Sequence, residues 1–184
     1  MSAGMNPAQQ EAVNYLHGPC LVLAGAGSGK TRVITHKIGR LIESGMPPKS
    51  IAAITFTNKA AMEMRDRAKA LIGRDAKDVV VSTFHALGVR MVREDGKLLG
   101  LKPQFSILDA DDVTGILKDA GGSVDVATAR TWQWTISKWK NMGLNAEQAA
   151  AQAADDSEAI TARVMALYEE RLTAYQSVDF DDLI

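Results

Sequence analysis

Leu21-Val22-Leu23-Ala24-Gly25-Ala26-Gly27-Ser28-Gly29-Lys30-Thr31 decides how this chain is read. A short apolar run suited to a buried parallel strand empties into a glycine-rich turn, and the turn leads into a segment of helical periodicity. The phosphate-loop pattern G-x-x-x-x-G-K-[ST] fits, with Ala24 where the pattern has its first glycine and Gly29, Lys30 and Thr31 at its end. Gly25, Gly27 and Gly29 are expected to adopt positive φ and turn successive N–H groups toward one anion, with Ala26 and Ser28 between them. Lys30 adds a full charge at a helix start, and the Thr31 hydroxyl is suited to Mg²⁺. A nucleoside triphosphate is the implied occupant. The competing reading, a flexible glycine loop that matches by accident, does not account for the strand before it and the amphipathic helix after it.

The 184 residues suffice for one or two small domains with a real core. With 46% hydrophobic and 23% charged residues, the composition is that of a folded protein. No apolar run approaches the ~18 residues of a membrane span, and Met1-Ser2-Ala3-Gly4-Met5 lacks the basic and apolar parts of a signal peptide. A single cysteine, Cys20, forms no internal disulfide, so a reducing cytoplasm is the expected compartment. The net charge of −1 hides a split. Residues 1–104 hold 15 Lys/Arg against 8 Asp/Glu, whereas residues 105–184 hold 6 against 14. A basic first half suits a polyanion-binding surface.

Asn6, Pro7 and Gln9 open a short helix by a capping box. Ile34, Ile38, Leu41 and Ile42 mark the buried stripe of the helix after the loop, which Gly45 ends. Residues 51–55 read as a second strand, followed by a helix capped by Thr57 and buried through Ala61, Met64, Ala68 and Leu71. Residues 78–82 read as a third, followed by a helix over about 84–93. Three alternations of strand and helix predict an α/β fold with a parallel sheet. Beyond about residue 104 strand signals fade and four helices follow, the last with Ile160, Val164, Leu167, Tyr168, Leu172 and Tyr175 on one stripe. Trp132, Ile136 and Trp139 share a helix face and read as core, while Trp134 points elsewhere. The final apolar run stops without a turn signal, which suggests a sequence cut short.

Phe56-Thr57-Asn58 and Thr83-Phe84-His85 each set a phenylalanine beside hydroxyl groups at a helix start. Such loops can hold phosphate while the ring stacks on a base. From the spacing alone, buried phenylalanines with capping threonines are the favoured account.

Asn6-Pro7-x-Gln9, Ala24 to Arg32, Ile54 to Ala61, Thr83-Phe84-His85 and the ending Asp179-Phe180-Asp181-Asp182-Leu183-Ile184 together resemble superfamily 1 DNA helicases of the UvrD/Rep/PcrA group. The resemblance implies a RecA-like P-loop NTPase sheet with an inserted all-helical subdomain. Residues 1–104 would be the first part of domain 1A, residues 105–178 subdomain 1B, and residues 179–184 the return into 1A. It further implies an ATP-dependent 3′-to-5′ helicase of replication or repair, with ATP and Mg²⁺ as cofactors. Single-stranded DNA, the rest of 1A, domains 2A and 2B, and replication or repair proteins would be its partners, with no membrane. Gln9 would read the adenine edge, Arg32 would lie against the adenine ring, and Lys30 and Thr31 would serve the phosphates and Mg²⁺. Phe56, Thr57, Asn58, Thr83, Phe84 and His85 would line the DNA. The family's Asp-Glu strand and its arginines do not occur in these residues, so the chain is expected to bind nucleotide with negligible turnover. The aspartates at 179, 181 and 182 read as a solvated turn. Two other classes fit the loop or the acidic helices: a P-loop kinase of small molecules, and a non-catalytic docking module.

Overall fold

The computed structural model describes residues 4–122 and 124–184; Met1, Ser2 and Ala3, which belong to the N-terminal stretch read above, and Ser123 lie outside the described residues. The chain divides into two compact units, one ending at Phe84 and one running from His85 to Ile184. The division falls inside the segment 1–104 that the sequence assigns to its first domain.

In the first unit, α1 (Pro7–Asn14) starts at the expected capping box, in which Asn6 accepts from the Gln9 N–H and Gln9 accepts from the Asn6 N–H. It packs on α2 (Lys30–Glu43) through Met5, Ala12, Val13 and Val33. Lys37 of α2 donates to the Ala12 and Tyr15 carbonyls at 3.0 and 2.7 Å, satisfying the end of α1. β1 (Ala52–Thr55), α3 (Asn58–Ile72) and β2 (Val80–Thr83) form a βαβ unit whose strands pair in parallel, Ala52 opposite Val80 through Thr55 opposite Thr83. Ile38, Ile51, Ala53, Met64, Val79 and Val81 make its core.

Two expectations fail here. Residues 21–25 form no strand, and Leu21 and Leu23 are 85% and 87% exposed. A strand needs a hydrogen-bonded neighbour, and among the described residues this sheet consists of β1 and β2 alone. The α/β expectation therefore reduces to a mostly helical chain with small parallel sheets. Ile34 is exposed as well, because α1 draws Val33 inward in its place.

The second unit takes up α4 (Phe84–Asp95) from His85 onward and adds α5 (Ala110–Ala120), α6 (Val126–Asn141), α7 (Ala146–Ala151) and α8 (Asp156–Tyr175). Asp109 with Asp112 and Asn145 with Gln148 close capping boxes at α5 and α7. Trp132, Ile136 and Trp139 are buried with Leu117, Met165 and Tyr168, as their shared face predicts. On α8, Val164, Tyr168 and Leu172 are buried, but Ile160, Leu167 and Tyr175 are exposed. The small Ala146 and Ala149 of α7 join Ala162 and Met165 in the core, which turns the buried face away from the expected stripe. β3 (Ser106–Ile107) and β4 (Ser177–Val178) pair in parallel, a contact too short to leave a periodic signal. No helix among the described residues is long and apolar enough to cross a membrane.

Gly88 on α4 lies against the Leu183 carbonyl, where an added Cβ collides with backbone. Gly88→Ala is expected to cost about 1–3 kcal/mol as overpacking. Urea denaturation of wild type and variant checks this, and an unchanged midpoint refutes the close approach.

Candidate functional site

The glycine loop is open. Gly27 and Gly29 have φ of 73° and 84°, the left-handed region that only glycine enters cheaply. Gly25 does not use that freedom. Its carbonyl instead gathers donors: the Ser28 N–H at 3.4 Å, the Ser28 hydroxyl at 2.7 Å and the Lys30 ammonium at 2.7 Å. Lys30 also donates to the Ala24 carbonyl at 3.2 Å, so its charge lies back across the loop. Gly29 is the N-cap of α2 and supplies no side-chain cap, leaving the first-turn N–H groups for a ligand. Ala26 is exposed at the crest of the loop, and Thr31 is half-buried at the second position of the helix.

Gln9 ties α1 to this loop. Its Nε2 donates to the Ser28 carbonyl at 2.9 Å while its Oε1 accepts from the Asn6 N–H at 3.0 Å. A side-chain amide has two N–H donors and two lone pairs, so each end keeps one position for a base edge. Arg32 donates to the Gly4 carbonyl at 3.0 Å. A cavity of about 530 Å³ opens beside the loop, with Gln9, Cys20, Leu23, Gly25, Ser28 and Lys30 among its lining residues. Lys37 lines it too. No periodicity marks Lys37, since its place follows from α1 packing on α2.

The UvrD/REP helicase N-terminal domain model matches residues 5–184. The chain belongs to this family. Among similar proteins is the ATP-dependent DNA helicase Rep of Escherichia coli K12, 45% identical over 185 residues, 98% of this chain and 28% of that one. The ATP-dependent DNA helicase PcrA of Bacillus subtilis 168 is 44% identical, with 99% and 25% covered. PcrA of Leuconostoc citreum is 45% identical, with 100% and 25% covered. The chain thus spans little more than a quarter of these helicases' length.

In this UvrD/REP family member, Phe56 is 87% and Phe84 42% exposed, and their ring centroids lie 5.5 Å apart. The alternative of buried phenylalanines does not hold. Thr57 caps α3 by accepting from the Ala60 N–H, Asn58 is exposed and Thr83 is buried. In the second unit the His85 ring sits edge-on to Phe180 at 5.4 Å.

Of the terminal aspartates, Asp179 is not part of the solvated turn expected, whereas Asp181 is half-buried and Asp182 exposed. Asp179 is 5% exposed, and its Oδ2 accepts from the Tyr168 hydroxyl and from Lys140, both at 2.6 Å. Lys140 also pairs with Asp182 at 2.7 Å. Asp181 accepts from Ser137 and Asn141 at 2.9 and 3.1 Å. Burial acts first to raise the Asp179 carboxyl, yet the Lys140 charge and the hydrogen bonds outweigh it and hold that carboxyl below its ordinary 3.8. Burial likewise works against the Lys140 charge, and Asp182 with Asp179 overcomes it, carrying the ammonium above 10.5. Among the described residues, no group of three or more His, Cys, Asp or Glu is arranged to hold a metal.

Proposed function

We propose that this chain is the nucleotide-binding portion of an ATP-dependent DNA helicase that moves 3′-to-5′ on single-stranded DNA in replication or repair. One observation carries the reading: an uncapped helix start behind an open glycine loop, with Lys30 across it and Gln9 tied to it. In this reading residues 1–104 are the first part of a RecA-like domain 1A, 105–178 are subdomain 1B, and 179–184 return to 1A. The rest of 1A, domains 2A and 2B, and replication or repair proteins are its partners, and the cytoplasm is its compartment.

The residues fit ATP and Mg²⁺ by the chemistry of their donors. Residues 24–29 and the first turn of α2 offer the triphosphate backbone N–H groups. Lys30 exchanges two neutral carbonyls for phosphate oxygens, a stronger charge-assisted contact. The Thr31 hydroxyl holds the Mg²⁺, which supplies charge neutralisation on the phosphates. Gln9 has hydrogen-bonding capacity left for adenine, and Arg32 lies two residues beyond Lys30 to rest against the ring. Phe56, Thr57, Asn58, Thr83, Phe84 and His85 contact DNA, and the exposure of Phe56 and Phe84 supports stacking. No Asp-Glu dipeptide occurs in the sequence, so these residues bind ATP without appreciable hydrolysis.

Fluorescence anisotropy of the 184-residue chain with a labelled ATP analogue plus Mg²⁺, and separately with labelled oligo(dT), tests this. Binding of both is expected. Nucleotide binding without DNA binding would favour a small-molecule kinase, and binding of neither a docking module. DNA-stimulated hydrolysis by these residues alone would overturn the claim of negligible turnover.

A further inference from the structure

α6 is free of acidic residues in an acidic part of the chain. Residues 105–184 hold 14 Asp/Glu against 6 Lys/Arg, yet three of those six cations, Arg130, Lys138 and Lys140, are on this helix. Lys140 is engaged with Asp179 and Asp182. Arg130 and Lys138 are exposed, and neither is ion-paired among the described residues. Between them stands Trp134, 71% exposed, whereas Trp132 and Trp139 of the same helix are 9% and 6% exposed.

The spacing is i, i+4, i+8, which sets the three side chains on one stripe about 12 Å long, at 1.5 Å per residue. At 100° per residue, Trp134 lies opposite the face that buries Trp132, Ile136 and Trp139. Of the carboxylates at the C-terminal end of the helix, Asp179 and Asp182 hold Lys140, and Asp181 accepts from Ser137 and Asn141.

An indole held in water between two unpaired cations matches a ligand that alternates flat apolar rings with anions. We propose that Arg130, Trp134 and Lys138 form a contact for single-stranded nucleic acid: the indole stacks on a base, and the two cations take the phosphates on either side. Carboxylates on an acidic protein surface offer charge but no ring plane of their own, whereas a single strand pairs a base with a phosphate at every unit, so the nucleic acid is favoured. The inference rests on the proposal that the protein handles single-stranded DNA. It assigns a contact on the helical unit, away from the loops at Phe56–Asn58 and Thr83–His85 in the sequence.

The test is anisotropy of labelled oligo(dT) with the full chain and with Trp134→Ala, Trp134→Phe and Arg130→Ser/Lys138→Ser. Because all three positions are exposed, the variants are expected to fold, and circular dichroism verifies it. Trp134→Ala is expected to weaken binding about fivefold or more, and Trp134→Phe to restore most of it. The double cation variant is expected to flatten the slope of log K against log salt by about 0.7 per cation removed. Wild-type binding that Trp134→Ala leaves unchanged overturns this inference alone. Failure of the wild type to bind oligo(dT) brings down the DNA reading as well. Polyglutamate that displaces the oligonucleotide and shows the same loss with Trp134→Ala would assign the stripe to an acidic protein partner instead.

Discussion

Lys140→Met is expected to destabilise the helical unit by about 3–5 kcal/mol, the cost of leaving a buried charge uncompensated. Asp179 is 5% exposed and sits 2.6 Å from both the Lys140 ammonium and the Tyr168 hydroxyl. Asp182 reaches the same ammonium at 2.7 Å, so one cation serves two carboxylates. Asp179 and Asp182 also exchange backbone-to-carboxylate hydrogen bonds at 3.0 and 2.9 Å, which fixes the turn they occupy. Removing the cation leaves two anions facing each other behind α6 and α8. Denaturation followed by the buried Trp132 and Trp139 measures the loss. The penalty is expected to shrink when pH is lowered far enough to protonate the aspartates, and a pH-independent penalty would point to lost packing rather than charge.

The alkaline limb gives the sign of the same network. Lys140 has its folded pKa above 10.5. Tyr168 is raised above 10.0, by burial first and then by the Asp179 carboxylate. Both groups therefore contribute stability that is full below about pH 10 and is lost as pH rises beyond it, when the unfolded chain releases protons that the folded one keeps. On the acid side the aspartates oppose each other. Asp179 is lowered and loses its contribution as pH falls below 3.8, whereas Asp182 is raised, by burial first, against the pull of Lys140. Stability scans above pH 10 are thus the cleaner measurement.

The second large effect is expected at the glycine loop. Lys30→Ala should weaken binding of an ATP analogue by roughly 10- to 150-fold, the worth of a hydrogen bond to a charged group at ~1.5–3 kcal/mol. Lys30 is exposed, and its recorded bonds go to the Ala24 and Gly25 carbonyls of its own loop, so its removal is expected to leave thermal stability unchanged. Anisotropy of the labelled analogue with Mg²⁺ reads the first expectation and a melting curve the second. Unaltered affinity would mean that the polyphosphate does not lie over this loop.

What was legible in the sequence was local. The capping box at Asn6 is closed by Gln9, three positions on, so the pair is written in one short stretch. The buried face of Trp132, Ile136 and Trp139 follows from helical period alone. The glycine loop was legible for the same reason: left-handed φ at Gly27 and Gly29, and a helix beginning at Lys30, are decisions of adjacent residues. Other features depend on which distant segments meet, and spacing does not encode that. Phe56 and Phe84 meet beside the β1–β2 pair, which brings together two loops nearly thirty residues apart in sequence. The apolar run 21–23 carries strand character but finds no partner among the described residues, and so it stays exposed. Asp179 reads as a solvated acid, and nothing in the sequence marks Lys140, 39 residues away, as its partner until α6 and α8 close around them. Short-range hydrogen bonding and helical period are properties of a few neighbouring residues and were set by the sequence itself. Burial, and with it the ion pairing of Asp179 and the exposure of Trp134, is a property of the closed chain and was decided only by the tertiary structure.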